Sequence, residues 1–219
     1  MGSKEGRLTP EDAQPGDRAD SLRSPLIPKN VRPSRVHLRG GVMDRSAHDA
    51  VETSWRAFIH VRALCPSARD SFIGATSYQS PSWYRNRGAR YTVSLPAPFT
   101  DDDLTRLQEG TSFVNRSFII TLAAILEAYE IVPYRVEPDR SLDGGDHVQL
   151  VKWLRNRYAH GEYEYDATNE KHVETRQLLE NVLPDIADAT EGFPASIDSV
   201  LEPLKDGVLQ YIDAFERLA

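Results

Sequence analysis

The uncharged run between Arg116 and Glu127 limits the possible folds of this chain most strongly. From Phe118 to Leu126 the residues would be apolar on every side of a helix. Such a helix must be surrounded by other helices or by lipid, because it has no side that favours water. The run has ten residues, about half of the ~20 that a membrane-spanning helix needs. The sequence therefore predicts a core helix inside a helical bundle.

Helical signals flank this core segment on both sides. Thr100 precedes three Asp residues, which is typical of a helix start because a hydroxyl caps free amides and carboxylates favour the positive end of the helix dipole. That helix is expected to run towards Ile131 and to be ended by Pro133. Gly161 is typical of a helix end. The predicted helices cover residues 44–64, 100–131, 146–160, 169–182 and 196–218, the last with Pro203 in its first turn or at a kink.

These patterns predict an all-α fold, an antiparallel helical bundle of four to five helices with a loop-rich, partly extended N-terminal region. Residues 1–41 are rich in Pro and Gly and predict a flexible arm. Residues 42–99 predict one helix followed by loops with at most a short strand pair, and their role is open. The bundle itself is assigned to residues 100–219.

Composition narrows the class of protein. The single thiol, Cys65, excludes an internal disulfide framework and zinc modules built on Cys. The N-terminus has no apolar run typical of a signal peptide, so a cytoplasmic protein is expected. The net charge of −7 argues against general nucleic-acid binding, yet residues 1–99 carry 15 basic against 9 acidic side chains. The excess of Arg, 21 against 5 Lys, suits phosphate contact, and the codon bias of a GC-rich genome is the alternative explanation.

Aromatic and basic residues are interleaved in the loop-rich segment. This composition is used for stacking on single-stranded nucleic acid, and it makes Arg85, Arg87 and Arg90 candidate substrate-binding residues. In the alternative interpretation, the aromatic residues attach a long loop to the helical core. The aromatic residues concerned are Tyr78, Trp83, Tyr84 and Tyr91.

The predicted helix 146–160 is the most informative segment. On its helical surface Asn156 and His160 lie one turn apart on the side opposite the apolar residues, and Arg155 lies at the border. Trp153 lies on the same outward side, where a large aromatic ring would be exposed in a monomer. Trp153 therefore predicts the seam of a helix-to-helix homodimer, with a lone surface Trp as the alternative. The core-facing residues are Leu150, Val151, Leu154 and Tyr158.

Arg155, Asn156, three intervening residues, His160 and Gly161 resemble the Rx4-6H signature of the HEPN superfamily in its frequent RNxxxH form. The resemblance covers about residues 100–219 and implies a bundle that dimerises so that two motifs face one another. It further implies a metal-independent ribonuclease without a cofactor, of the kind found in toxin–antitoxin and defence systems, with RNA and an antitoxin or regulatory protein as partners and no membrane. A second Arg-x4-His match at residues 32–37 contains Pro33 and lacks the helix.

The chemistry of RNA cleavage is compatible with these residues. Cleavage without a metal needs one group to take the 2′-hydroxyl proton, one to protonate the leaving 5′-oxygen, and positive charge over the phosphorane, giving 2′,3′-cyclic phosphate and 5′-hydroxyl ends. His160 can transfer protons near neutral pH, and Arg155 can grip two phosphate oxygens. Asn156 could orient the imidazole or hold a phosphate oxygen, and Arg157 is a further candidate for substrate contact. Since one subunit supplies one His, the two proton-transfer roles predict a dimer.

Several interpretations compete with this hypothesis. Arg155 and Arg157 could simply bridge to acidic residues of the last helices while His160 caps its own helix. Glu127 is expected to face Arg116 or solvent, with a role beside the motif as the alternative. Tyr163 is a possible regulatory residue, although it is one position out of step with the HxY pattern of one toxin subgroup. The competing function is a non-catalytic helical interaction or RNA-binding module, and residues 1–99 could be an inhibitory or targeting part.

Overall fold

The computed structural model of the chain describes residues 46–65, 72–183, 186, 193 and 196–218. Those residues contain six α-helices and one antiparallel two-stranded sheet, so the fold is all-α, as predicted. The arm predicted for residues 1–41 lies outside the described residues. The elements are α1 (Ala47–Leu64), β1 (Ser77–Gln79), α2 (Ser82–Asn86), β2 (Thr92–Ser94), α3 (Asp101–Ala128), α4 (Gly145–Ala159), α5 (Glu170–Val182) and α6 (Glu202–Glu216).

Local signals explain both ends of α3. The Thr100 hydroxyl accepts the Asp103 N–H, and the Asp103 carboxylate accepts the Thr100 N–H, so the predicted N-terminal cap is confirmed as a reciprocal pair. Helix α3 ends at Ala128, before the predicted Ile131, because Glu130 adopts a left-handed φ of 58°. The N–H of Ile131 then bonds to the carbonyl of Leu126. The chain reversal, rather than a proline, ends the helix.

The start of α6 is irregular. The single helix predicted from residue 196 begins instead as a π-helical turn, Ile197–Leu201, and continues as α6 from Glu202. Pro203 lies in the first turn of α6, directly after the π-helical turn. The prediction that Pro203 marks the first turn is therefore confirmed.

Four of the helices pack as a ring, in which α1 contacts α3, α3 contacts α4, α4 contacts α6, and α6 contacts α1. Successive helices are antiparallel, as Trp55 of α1 meets Phe118 of α3 while Arg62 reaches back to Thr111. The end of α4, with His160, therefore lies at the opposite end of the bundle from the start of α1 and the end of α6. The remaining long helix, α5, packs on α4.

The bundle includes α1, so the structure does not divide the chain at residue 100. The rings of Trp55 and Phe58 lie against Phe118, with centroids 5.2 Å and 4.7 Å away. One continuous cluster of buried apolar side chains runs through α1, α3, α4, α5 and α6. The described residues consequently form one packing unit, and the role of α1 is to complete the core.

The aromatic residues of the loop-rich segment attach it to this core, as the alternative interpretation predicted. Tyr84 on the short helix α2 is buried, and Trp83 and Tyr91 pack against the core cluster. The Tyr91 hydroxyl also hydrogen-bonds His60 Nδ1 of α1 at 2.7 Å. The predicted short strand pair is present as β1 and β2, whereas α2 was not predicted.

Among the described helices, α3 is the one with the length and apolar composition of a membrane-spanning helix. One side of its most apolar part lies inside the bundle, since Phe118, Ile119, Leu122 and Leu126 are buried against other helices. The expectation that this part is surrounded on every side is wrong, because Ile120 and Ala124 of the same segment are exposed.

The start of α4 and helix α6 are in close contact at two glycines, Gly144 and Gly207. Gly144 has a left-handed φ of 77°, and a Cβ there would collide with the carbonyl oxygen of Gly207 and lie 2.9 Å from the Tyr211 nitrogen. The His147 ring of α4 covers Gly207 from the other side. Glycine is required at both positions for the start of α4 to reach α6.

Candidate active site

The C-terminal half of α4 carries the motif on the face that the helical periodicity predicts. Leu150, Val151, Leu154 and Tyr158 are all buried, which confirms the core-facing side. Burial raises the pKa of Tyr158 above its ordinary value, and its hydroxyl hydrogen-bonds the Phe193 carbonyl at 3.3 Å. The packed side therefore fixes the rotation of α4 and presents Asn156 and His160 outward.

Arg155 is held from three sides at the border between α3 and α4. Its Nη1 donates to Asn156 Oδ1 at 3.0 Å, and its Nη2 lies 3.6 Å from Glu127 Oε1. The guanidinium also lies 5.1 Å from the centre of the exposed Tyr134 ring. Glu127 thus stands beside the motif, and Arg116, its expected partner, instead lies over the Tyr163 ring at 3.8 Å.

His160 is the C-cap residue of α4, and its imidazole points away from the packed core. Its backbone N–H, rather than its ring, closes the helix by donating to the carbonyls of Asn156 and Arg157, each at 3.2 Å. Gly161 then turns the chain away with a φ of 73°. The side chain is exposed and makes no hydrogen bond within the described part of the chain. The ring is therefore available for proton transfer.

Arg157 has a structural role. Its side chain is only 11% exposed and pairs with the Glu162 carboxylate, which also lies 3.4 Å from His172 Nε2. The hydrogen bond from Arg157 is the main reason that the pKa of Glu162 lies below its ordinary value. His172 Nδ1 accepts the Asp166 N–H at 3.1 Å, so this network fastens the chain after α4 to α5. The ion-pair alternative therefore applies to Arg157, with Glu162 as the partner instead of a residue of the last helices.

A groove of about 680 Å³ runs along the outward side of α4 beside His160. Its walls come from α4, from the N-terminal half of α5 and from the connection between α3 and α4. Trp153 lines this groove and is partly buried against the core. The ring is therefore only partly exposed in a single chain, and a covering subunit at Trp153 stays a prediction. The groove is lined by Tyr134, Glu137, Lys152, Trp153, Asn156, Arg157, His160, Glu162, Asn169, Lys171, Glu174 and Thr175.

The candidate basic residues of the loop-rich segment lie in a different place. Arg85 and Arg90 line a separate hollow of about 390 Å³ that shares no lining residue with the groove. Arg87 stacks on Trp83 with 3.6 Å to the ring centre and pairs with Glu202 at 3.1 Å. Arg87 therefore joins α2 to α6, and the structure does not bring the three arginines to the motif.

Tyr163 lies just beyond the motif with an exposed ring. Arg116 covers one face of that ring, and the Tyr163 carbonyl accepts the Phe193 N–H at 3.2 Å. These contacts fix the segment after Gly161 without involving the motif side chains. A regulatory role for Tyr163 stays a prediction.

The remaining acidic and histidine residues do not gather into a metal site in the part of the chain that the structure describes. His147 faces α6, whereas His172 belongs to the network around Glu162. The residues that sequence reasoning missed are Tyr134 and those of α5 that form the groove wall. No local sequence pattern identifies them, because each residue becomes part of the site only when α5 and the connection after α3 fold back on α4.

Comparison of the chain with protein-family models, with curated proteins and with solved structures found no match. The chemistry that the site supports therefore follows from its geometry: a fixed guanidinium, Arg155, about 1.4 turns before a free imidazole, His160, which lines a groove.

Proposed function

We propose that this chain is a metal-independent endoribonuclease of HEPN type that acts as a cytoplasmic homodimer, as a toxin or defence effector. One observation carries the proposal: Asn156 and Glu127 hold Arg155 on the helix that ends in a solvent-facing His160, five residues or about 1.4 turns further along. A fixed cation and a free imidazole are the groups that cleavage of RNA without a metal requires.

The proposed reaction uses one histidine from each subunit. His160 of one protomer removes the proton from the 2′-hydroxyl, and that oxygen attacks the adjacent phosphorus. The bond from phosphorus to the 5′-oxygen breaks, and His160 of the second protomer protonates the leaving oxygen. Arg155 stabilises the charge that develops on the phosphoryl oxygens. The products are a 2′,3′-cyclic phosphate and a 5′-hydroxyl end.

The proposed dimer uses an exposed stripe of α3 that borders the motif. Phe113 is 71% exposed and Ile120 36% exposed, and Ala124 continues the same side of the helix towards Glu127. Glu127 contacts Arg155, so the stripe reaches the site itself. A second copy of this chain is the occupant that also supplies the second His160, which the chemistry needs.

Replacing Ile120 by Glu should separate the proposed dimer. An unpaired carboxylate buried in an interface costs about 3–5 kcal/mol, so the dissociation constant should rise at least about a hundredfold. RNA cleavage should fall with the dimer fraction, as measured by light scattering and cleavage at the same protein concentrations. The control is Leu218→Glu, which changes an exposed leucine just beyond α6, at the opposite end of the bundle. A monomeric Ile120→Glu protein that cuts RNA at the parental rate would contradict the shared site.

The direct test is cleavage of unstructured RNA in EDTA, followed by analysis of the new ends. We expect 2′,3′-cyclic phosphate and 5′-hydroxyl ends at a rate that the chelator does not change. Loss of cleavage in EDTA, or 5′-phosphate ends, would refute the proposed mechanism, because such ends arise when water rather than the 2′-oxygen attacks phosphorus.

A non-catalytic RNA-binding or interaction module is the second candidate. It is favoured by the carboxylates that offset the charges of Arg155 and Arg157, namely Glu127 and Glu162. This alternative predicts RNA binding without new ends in the same assay.

A further inference from the structure

We infer that the groove beside His160 binds one unpaired nucleotide of the RNA, with its base stacked on Trp153. The inference rests on the proposed function in taking RNA as the ligand, and it adds the subsite next to the phosphate that is cut. The observation that carries it is that Trp153 and His160 line the same groove.

The groove has the size of a small-molecule site. Its volume of about 680 Å³ falls within the range of about 300–1,000 Å³ that ligand pockets span. A single nucleotide fits this range, whereas a base held in a duplex must first unpair and unstack, which costs a few kcal/mol. The groove should therefore select unpaired RNA.

The walls favour a base over a phosphate as the main contact. The two least exposed cations are already neutralised: Lys152 lies 2.9 Å from Glu137, and Arg157 pairs with Glu162. Trp153 supplies an aromatic ring, and stacking of one base on such a ring is strong and tolerant of sequence. Stacking, rather than charge, should dominate binding here.

The remaining lining residues suit the edges of a nucleotide. Asn156, Asn169 and Thr175 offer donors and acceptors to the base edge and the ribose. Lys171 is exposed at the rim and makes no ion pair within the described residues, so it can meet a flanking phosphate. Tyr134 joins the groove to Arg155, whose guanidinium lies 5.1 Å from its ring centre.

The test uses the fluorescence of Trp153 in a His160→Ala background, which should bind RNA without cutting it. The chain has three Trp residues, of which Trp55 is buried in the core and Trp83 is covered by Arg87. A short unstructured RNA should quench the fluorescence, and the quenching should disappear in Trp153→Phe but persist in Trp83→Phe. Full quenching in the Trp153→Phe variant would overturn the inference.

Two further arms identify the ligand. The same RNA annealed to its complement should not quench Trp153, and adenosine monophosphate should bind far more weakly than the oligonucleotide. Equal quenching by the duplex would rule out an unpaired base. Equal affinity for the mononucleotide would assign the groove to a free nucleotide, and either result would overturn the inference.

A second readout separates the groove from the cutting step. With His160 intact, Trp153→Ala should raise KM about tenfold, the loss expected for one stacked base, with little change in kcat, while Trp153→Phe should behave nearly as the parent. If quenching depends on Trp153 but the protein with His160 intact does not cut RNA, base binding in the groove is supported and the proposed nuclease function is refuted. If RNA is cut but the quenching does not depend on Trp153, the nuclease function is supported and base binding in the groove is refuted.

Discussion

Replacing His160 by alanine should abolish RNA cleavage while leaving the fold and the dimer intact. Each proton-transfer role contributes about 10²–10⁴-fold to a rate, and the substitution removes both roles from a symmetric dimer. The fold should survive, because the ring is exposed and makes no hydrogen bond within the described residues. Cleavage is measured in EDTA, with thermal unfolding and light scattering as checks on fold and dimer.

The matched control for this substitution is His48→Ala, on the first turns of α1 at the opposite end of the bundle. It should cut RNA at the parental rate. Cleavage by the His160→Ala protein at the rate of the control would refute the catalytic role of the motif.

Mixed dimers sharpen this prediction. If one site uses His160 from both subunits, an exchanged mixture of equal amounts of parental and His160→Ala protein should have about a quarter of the activity of the same total amount of parental protein. Only the dimers with two intact subunits, about a quarter of the total, would work. Half of the activity would mean that each subunit acts independently.

Replacing Gly144 by alanine should destabilise the fold by about 2–5 kcal/mol, which combines the penalty of a left-handed residue with that of an overpacked contact. The reason is that the new Cβ would collide with the Gly207 carbonyl while φ is held at 77°. For a unit of this size the midpoint of thermal unfolding should fall by about 10 °C. Urea unfolding measures the change in the free energy of unfolding.

Gly88→Ala is the matched control for this second substitution. Gly88 also has a positive φ, 87°, but a Cβ there would meet nothing within 4 Å. Its loss of stability should therefore be smaller and reflect the backbone penalty alone. Equal losses in the two variants would show that the close approach of α4 and α6 does not limit side-chain size.

Features that depend on neighbours in sequence could be predicted. The cap of α3 needs only Thr100 and Asp103, and the buried side of α4 follows from the spacing of its apolar residues. The position of His160 at the end of α4 follows from the same spacing and from Gly161. Local periodicity therefore predicted the helix that carries the motif and the side on which the motif lies.

Features that depend on distant contacts could not be predicted. The contact between Phe58 and Phe118 joins residues far apart in the chain, so nothing in either segment indicates that α1 completes the bundle. Glu127 had several possible cationic partners, and the packing of α3 on α4 selected Arg155. The groove that Trp153 lines likewise requires segments that fold back on α4. Helical periodicity gives the direction of a side chain but not what covers it.

The antiparallel ring of helices has a practical consequence for presenting this protein to RNA. The start of α1 and the end of α6 lie at one pole of the bundle, and His160 lies at the other. With 18 residues in α1, about 25 Å of helix separates the two poles. A bead, dye or surface linker attached beyond α6 should therefore leave the pole with the motif facing solution, so that tethered molecules can meet long RNA without obstruction.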